Sequence, residues 1–527
     1  MPPSSRAPRR TVLADFCGRP LTLSGDACQW DAAGPEEGDC LLLGLGPDEP
    51  ASLPFVPDRR AVYWLECPET RRALPCAPVP PPSWREVSPE EAVALSPRCR
   101  RHFYRPGLRL APAFWGPLLG RMEAACCPLP SRPAKLPPPL LVLPGDQRGL
   151  LHLELRHAAG ELGWRVLEYP PEKGGPALFP LIRQAAAHAP ALLLSVNLRG
   201  LDPDGRLAQA CLAAGIPAVI WCVDNPWHLL SGARGPWWRD CPLCVTDAGF
   251  LEGLRRAGAR RAFFLPLASA QHMWRTPSSP REERTLFVGR SEFPRKKSFF
   301  AATSVPPSLL AEGLALVAAD DPAPPDVHWW HERLGGELWP GTAARRVGLG
   351  AEECSQARRA HWVREALSAL GGELRLVGDG GWKDILPGAS VEAPVDYYAA
   401  LPELYGRARA VLNVTSLLLP HSLNQRHFDV WAAGGLLLSD ATPGLEIFPP
   451  SLADPIRLRC PAELPERLEA LAAAPQRAEA LRAAWREEVR QNHTYARRLR
   501  TLWRLAVEDQ AFSGSAALSP SSSSTWA

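Results

Sequence analysis

The chain has 527 residues, 46% hydrophobic and 22% charged, with a net charge of +3. That length exceeds one compact core, so about three domains are expected. The near-neutral balance gives no global electrostatic case for nucleic acid or an anionic membrane as partner.

Arg supplies nearly all the basic residues, and Lys occurs only at 135, 173, 296, 297 and 383. This is the composition of a GC-rich, bacterial genome and says little about mechanism. Met1–Arg10 is basic and proline-rich, but no apolar run follows it, so no secretory signal is expected. No stretch of ~18 apolar residues is present, so no spanning helix is expected. The 14 cysteines are scattered, which reads as reduced thiols and a cytoplasmic protein.

In chain order, residues 1–10 and the Ser-rich end 513–527 are predicted to be disordered tails. Residues 11–130 carry short strand-like runs, Cys40–Leu45 and Ala61–Glu66, and read as a small α+β region. Pro128–Pro139 holds six prolines in twelve residues, a stiff linker.

From Leu140 strands and helices alternate. Strands are predicted at Leu140–Pro144, Arg165–Tyr169, Ala191–Val196, Ala218–Val223, Cys244–Thr246 and Ala262–Leu265. Helices fall at Leu150–Leu162, Leu178–His188 and Leu207–Ala214. A second series follows. Its strands are Thr285–Val288, Leu374–Val377, Ala410–Val414 and Leu436–Ser439, and its helices Gln356–Leu370, Tyr397–Ala408 and Asn424–Ala433. Residues 291–350 are poorly patterned, and Arg467–Val507 is mostly helical. The order predicts two parallel, doubly covered sheets, residues 140–280 and 284–512, with the ligand in their cleft.

The run from Asn413 to Gly435 is the most informative. It reads as strand, polar loop, helix and glycine stop. Ser422 followed by Gln425 is spaced as a capping box, so a helix start near Leu423 is predicted. Such an end, with His421, Ser422 and Asn424 nearby, suits a diphosphate. Arg426 in the first turn is unfavourable for the helix itself, which points to an anionic ligand. Asp429 lies near the same face, placed either to bind ribose hydroxyls or to pair with Arg426.

The segment Leu423–Asp440, LNQRHFDVWAAGGLLLSD, resembles the signature of CgeB-like (spore-maturation-protein-like) glycosyltransferases. Asn424, Arg426, Phe428, Asp429, Ala432, Gly434 and Gly435 match its pattern, with Asp429 where Glu is usual. Ile216–Leu230, Val245–Ala268 and Leu286–Arg290 are similar to the same family. The resemblance implies a GT-B fold and metal-independent transfer of a hexosyl-type unit from a UDP-, GDP- or dTDP-sugar. It implies that residues 140–280 take the acceptor and 284–512 the donor. The acceptor stays open between a surface protein, a polysaccharide and a small molecule, and stereochemistry stays undecided. Two alternatives stand beside it. One is a non-catalytic nucleotide- or sugar-binding scaffold on the same fold, the other a sugar-nucleotide epimerase.

Asp224 and His228 follow a predicted strand end and are the candidates for a base that deprotonates the acceptor, against a turn role for Asp224. Gly289 and Arg290 are placed to meet a phosphate, with Lys296 and Lys297 read as solvated. Gly378 heads a glycine-rich loop that would meet base or ribose. Asp247 reads as a helix cap, Asp202-Pro-Asp204 as a turn and Cys241-Pro-Leu-Cys244 as core. Trp221, Trp227 and Trp382 are the tryptophans placed to stack on a sugar, against core packing.

Overall fold

The computed structural model describes residues 10–56, 60–127, 138–169, 178–187, 190–275 and 280–508. The two expected tails (apart from Arg10) and the linker up to residue 137 lie outside the described residues.

Two six-stranded sheets form the body of the molecule. The first runs in the order Ala262–Phe264, Leu243–Val245, Ala218–Cys222, Ala191–Val196, Leu140–Pro144, Arg165–Tyr169. The second runs Val391–Glu392, Leu374–Val377, Thr285–Val288, Ala410–Asn413, Leu437–Asp440, Arg457–Leu458. Every neighbouring pair in both sheets is parallel. The central strands are buried along their whole length because helices cover both faces, which explains their unbroken apolar runs. The order reverses at Leu140–Pro144 and Ala191–Val196 in the first sheet, and at Thr285–Val288 and Ala410–Asn413 in the second. Such switch points leave a crevice at the carboxyl ends of the strands. Two Rossmann-like units facing a cleft, the arrangement called GT-B, are therefore present.

The C-terminal segment crosses back to the first unit. The helix Tyr495–Trp503 packs on His152–Glu161. Arg498 donates to the carbonyls of Pro266 and Leu267, and Ser269 N donates to His493 O.

Two regions depart from expectation. Residues 291–350 contain the helices Pro307–Ala318 and Val327–Leu334, and a 28-residue helix, Ala343–Leu370, starts well before Gln356. Its first turns pack through Ala344, Gly348, Gly350 and Ala351, so small residues hide the apolar period.

The N-terminal region is more than a small α+β unit. Its five-stranded sheet runs Trp30–Ala33, Cys99–Tyr104, Asp39–Leu43, Val62–Leu65, Arg85–Glu86. Four of these strands are parallel and helices join them, so the region is α/β with one antiparallel edge strand. The helix Pro112–Cys126 fixes it to the helix Arg206–Ala213. A Cβ at Gly116 would stand 2.0 Å from Asp204 O, and one at Gly120 2.3 Å from Arg206 O, so only glycine permits this approach. An ion pair between Glu123 and Arg206 closes the contact.

Candidate functional site

The carboxyl ends of the two Rossmann-like sheets enclose two adjoining cavities. The larger, about 570 Å³, lies against the loop that follows strand Leu140–Pro144, with Glu154 and Asp224 from the first unit and Tyr397, Tyr398 and Gln425 from the second. The smaller, about 280 Å³, sits at the second switch point and gathers Gly289, Arg290, Glu352, Arg359 and Arg426. Asp224, Ser416, Leu419 and Asn424 line both and mark where the cavities meet.

The loop that builds this meeting point differs from its predicted form. The helix is Arg426–Ala432 and is capped by no side chain from Gln425. Ser422 is not an N-cap: its hydroxyl donates to Thr246 O in the first unit at 2.9 Å. His421 N likewise donates to Asp247 Oδ2 at 2.9 Å. Both residues therefore join the two units, and the capping box does not form, because a cross-domain partner takes the serine. Asn424 does the local work, its Oδ1 accepting from Arg426 N at 3.1 Å.

Asn413, fully buried at the end of its strand, holds the other side. Its Oδ1 accepts from Asn424 Nδ2 at 2.8 Å and from Arg426 Nη1 at 2.5 Å, while its Nδ2 donates to Ser439 Oγ at 3.0 Å. The guanidinium of Arg426 is thus aimed by an amide rather than neutralised by a carboxylate. Among the described residues neither Arg290 nor Arg426 forms an ion pair.

Arg359 and Glu352, both on the long helix, complete the cavity and were not legible as site residues in the sequence. They stand 3.6 Å apart. Burial lowers the Arg359 pKa, Glu352 opposes that shift and the neighbouring Arg426 adds to it. Burial pushes Glu352 up to about 7, with Arg359 and Lys296 opposing. Lys296 is not solvated but paired with Glu353 at 2.9 Å. Two mutually repelling guanidiniums beside a half-ionised carboxyl form a site short of negative charge.

In the first unit, Asp224 projects into the cleft. Asn225, not Asp224, caps the following helix, accepting from Trp227 N at 3.0 Å. Asp224 is held instead by Asn197, whose Nδ2 donates to its Oδ2 at 2.7 Å and whose Oδ1 accepts from Val223 N and Asp224 N. Protein packed around the carboxyl raises its pKa, and the Asn197 bond pulls the other way. His228 lines the smaller cavity, stacked on Phe299 at 3.9 Å, and burial pushes it down to about 4. It is a neutral imidazole at neutral pH.

Other residues sit elsewhere than predicted. Asp429 is 1% exposed and lines neither cavity. Its carboxylate accepts from Tyr397 Oη at 2.7 Å, Gln425 Nε2 at 2.9 Å and Ala270 N at 3.3 Å, and burial lifts it to about 7. With the helix starting at Arg426, Asp429 meets the 268–270 crossing, so the geometry brings it neither to the cleft nor into a pair with Arg426. Gly434 and Gly435 lie at the far end of the helix. Their N–H groups donate to Trp431 O and Val430 O, a Schellman stop with Gly434 at φ +75°.

Gly378 faces its own sheet. A Cβ there would stand 2.4 Å from Gly289 O and 2.6 Å from the Trp382 ring. Trp221, Trp227 and Trp382 are buried, so none is open to a sugar. Asp202 takes three backbone N–H groups and Asp204 pairs with Arg234 at 2.9 Å. Asp247 caps the turn at Ala248–Phe250, accepting from Gly249 N. Cys241 and Cys244 are buried thiols.

The fold and site define an α/β protein in which two Rossmann-like units meet at a crevice, with Arg290, Arg359 and Arg426 lining the switch point of the second. Residues 358–504 match the family model described as glycosyl transferase-like, so the chain carries a glycosyltransferase domain over the Arg359, Asn413 and Arg426 region. No curated protein matches the chain.

Solved structures give faint likenesses. The DNA-modifying enzyme β-glucosyltransferase is 10% identical, covering 72% of this chain and 100% of its own, with a TM-score of 0.35. An α-glucosyltransferase in complex with UDP and a 13-mer DNA is 12% identical over 70% of this chain and 99% of its own, at 0.39. The α,α-trehalose 6-phosphate synthase of Burkholderia multivorans is 12% identical over 73% and 99%, at 0.38. TM-scores this low carry no argument; the two-unit architecture rests on the strand order of this chain. Among the described residues no helix is long and apolar enough to cross a membrane.

Proposed function

We propose that the chain transfers a glycosyl unit from a nucleotide-diphosphate sugar to an acceptor hydroxyl, as a CgeB-like glycosyltransferase. The observation that carries this is the convergence of Arg290, Arg359 and Arg426 on the switch-point cavity of the unit bearing the glycosyltransferase domain. In this reading residues 284–512 hold the donor and residues 140–280 the acceptor. The arginines bind the diphosphate and neutralise it as it departs. The acceptor enters the larger cavity, and Asp224, where the cavities meet, takes its proton. The bond from sugar C1 to the acceptor oxygen forms as that from C1 to the diphosphate oxygen breaks, and the diphosphate leaves with the electron pair. Positioning across the two units supplies much of the rate. Asn413 and Asn424 orient Arg426. His421 and Ser422 set the separation of the units, and Asp429 positions Gln425 and Tyr397.

Calorimetric titration with UDP, GDP and dTDP tests the reading. One of them is expected to bind, and Arg426→Ala to weaken it about 30-fold, the ~2 kcal/mol of a charge-assisted contact. Absence of binding by all three at millimolar concentration sinks it. Conversion of a sugar nucleotide to its epimer, or binding without any transfer, would favour the epimerase or scaffold.

A further inference from the structure

The larger cavity has a chemical character of its own. Leu151, Val223, Leu267 and Leu423 wall it, and among the described residues that line it Arg148 is the one cation. Tyr397 and Tyr398 also face it, but their hydroxyls are committed: Tyr397 donates to Asp429 at 2.7 Å and Tyr398 to Glu154 at 3.1 Å. They offer carbon surface to a ligand. At the rim, Leu150 is 54% exposed, so the apolar wall continues to the mouth. A volume of about 570 Å³ falls in the range of small-molecule sites.

One polar group in this wall is incomplete. Glu154 is 5% exposed, and its Oε1 accepts from Tyr398 while its Oε2 is buried with no hydrogen-bond partner. Such an oxygen costs free energy until a donor reaches it. The cavity therefore contains two carboxylates, Asp224 at the donor side and Glu154 in the apolar wall.

We infer that the acceptor is a small molecule with a compact apolar body bearing two hydroxyl groups, one delivered to Asp224 for transfer and one donated to Glu154 for recognition. This rests on the glycosyl-transfer reading above. A glycan chain would leave most of its hydroxyls unpaired against leucine and tyrosine carbon. A nucleic acid would need a row of phosphate contacts, which a single arginine does not provide. Glu154 is a specificity determinant and takes no part in bond making.

The test is binding of four probes to the full chain in the presence of whichever nucleotide it binds: a monohydroxycoumarin, a dihydroxycoumarin, maltopentaose and duplex DNA. The dihydroxycoumarin is expected to bind at least tenfold more tightly than the monohydroxy compound. Glu154→Leu should shrink that ratio below twofold, and Glu154→Gln, which keeps an acceptor oxygen, should retain part of it. Leu150→Asp, on an exposed side chain that the fold does not need, should weaken both coumarins at least fivefold. Nucleotide affinity should be the same in all three variants. Equal affinity for the two coumarins, or tighter binding of maltopentaose or DNA, overturns the inference. So does neglect of the coumarins by a chain that binds nucleotide normally, and in each case glycosyl transfer still stands. A chain that binds no nucleotide overturns both.

Discussion

The N-terminal sheet and the second Rossmann-like sheet share a topological device and use it in opposite ways. In each, the strand order reverses beside a central strand, Asp39–Leu43 in one and Thr285–Val288 in the other. In the second sheet the resulting crevice is open and lined by arginines. In the N-terminal sheet the corresponding edge is filled from within. Glu66 accepts from Leu45 N at 2.7 Å and from Cys67 N at 2.8 Å, occupying backbone donors that a ligand anion would otherwise take. Tyr104 packs at a tilt against Trp30, ring centres 5.2 Å apart, and Leu21 and Leu23 from the hairpin Arg10–Ala14 and Pro20–Ser24 close the lid. The same arrangement of strands is thus a site in one place and packing in another. What decides is whether the side chains at the strand ends leave a charge unanswered.

Four measurements would break or sharpen this contrast. The largest effect is expected at the meeting of the two cavities. Asp224→Asn should lower turnover by about 100- to 10,000-fold, the range for loss of a general base, while nucleotide affinity is kept. A fall of less than tenfold in steady-state transfer would remove Asp224 from that role.

The next concerns the filled edge. Burial lifts Glu66 to about 7, with the two backbone donors opposing. The folded protein therefore keeps this proton between about pH 4.5 and 7, where the unfolded chain releases it. The folded state binds more protons in that window, so its stability falls as pH rises through it. Urea unfolding at pH 5 and 7.5 should show a Glu66 share of about 2 kcal/mol, absent in Glu66→Gln. No change of slope in the variant would mean the edge is not held by this group.

Asn413→Ala should cost about tenfold in nucleotide affinity, since Arg426 and Asn424 lose the amide oxygen that aims them. Unchanged affinity with an intact far-ultraviolet spectrum would show that Arg426 needs no orientation.

The smallest effect is expected from Glu352. Below about pH 7 it is protonated and leaves the guanidiniums uncompensated; above it, the carboxylate competes with the ligand. Affinity for a sugar nucleotide, whose diphosphate diester does not titrate here, should fall two- to fivefold from pH 6 to 8. Glu352→Gln should flatten the profile.

The alternation of apolar runs and helical periods determined the two parallel sheets by itself. A strand buried on both faces must be apolar throughout, and several strands, such as Arg165–Tyr169 and Thr285–Val288, have the predicted bounds. Arg426 was also legible, because a cation in the first turn of a helix is a local anomaly. Arg359 and Glu352 carry no such mark: an arginine on a helix of arginines becomes a site residue only when the helix is docked. The roles of Ser422 and His421, tied to Thr246 and Asp247 across the cleft, belong to tertiary structure as well. So does the burial of Asp429, whose carboxylate meets Ala270 N, 159 positions away, as well as Gln425 one turn before it, because the crossing backbone packs over that face of the helix. Sequence determined the layers and the charge available; which charges meet, and which stay unanswered, was decided by tertiary packing, of the long helix within the second unit and of one unit on the other.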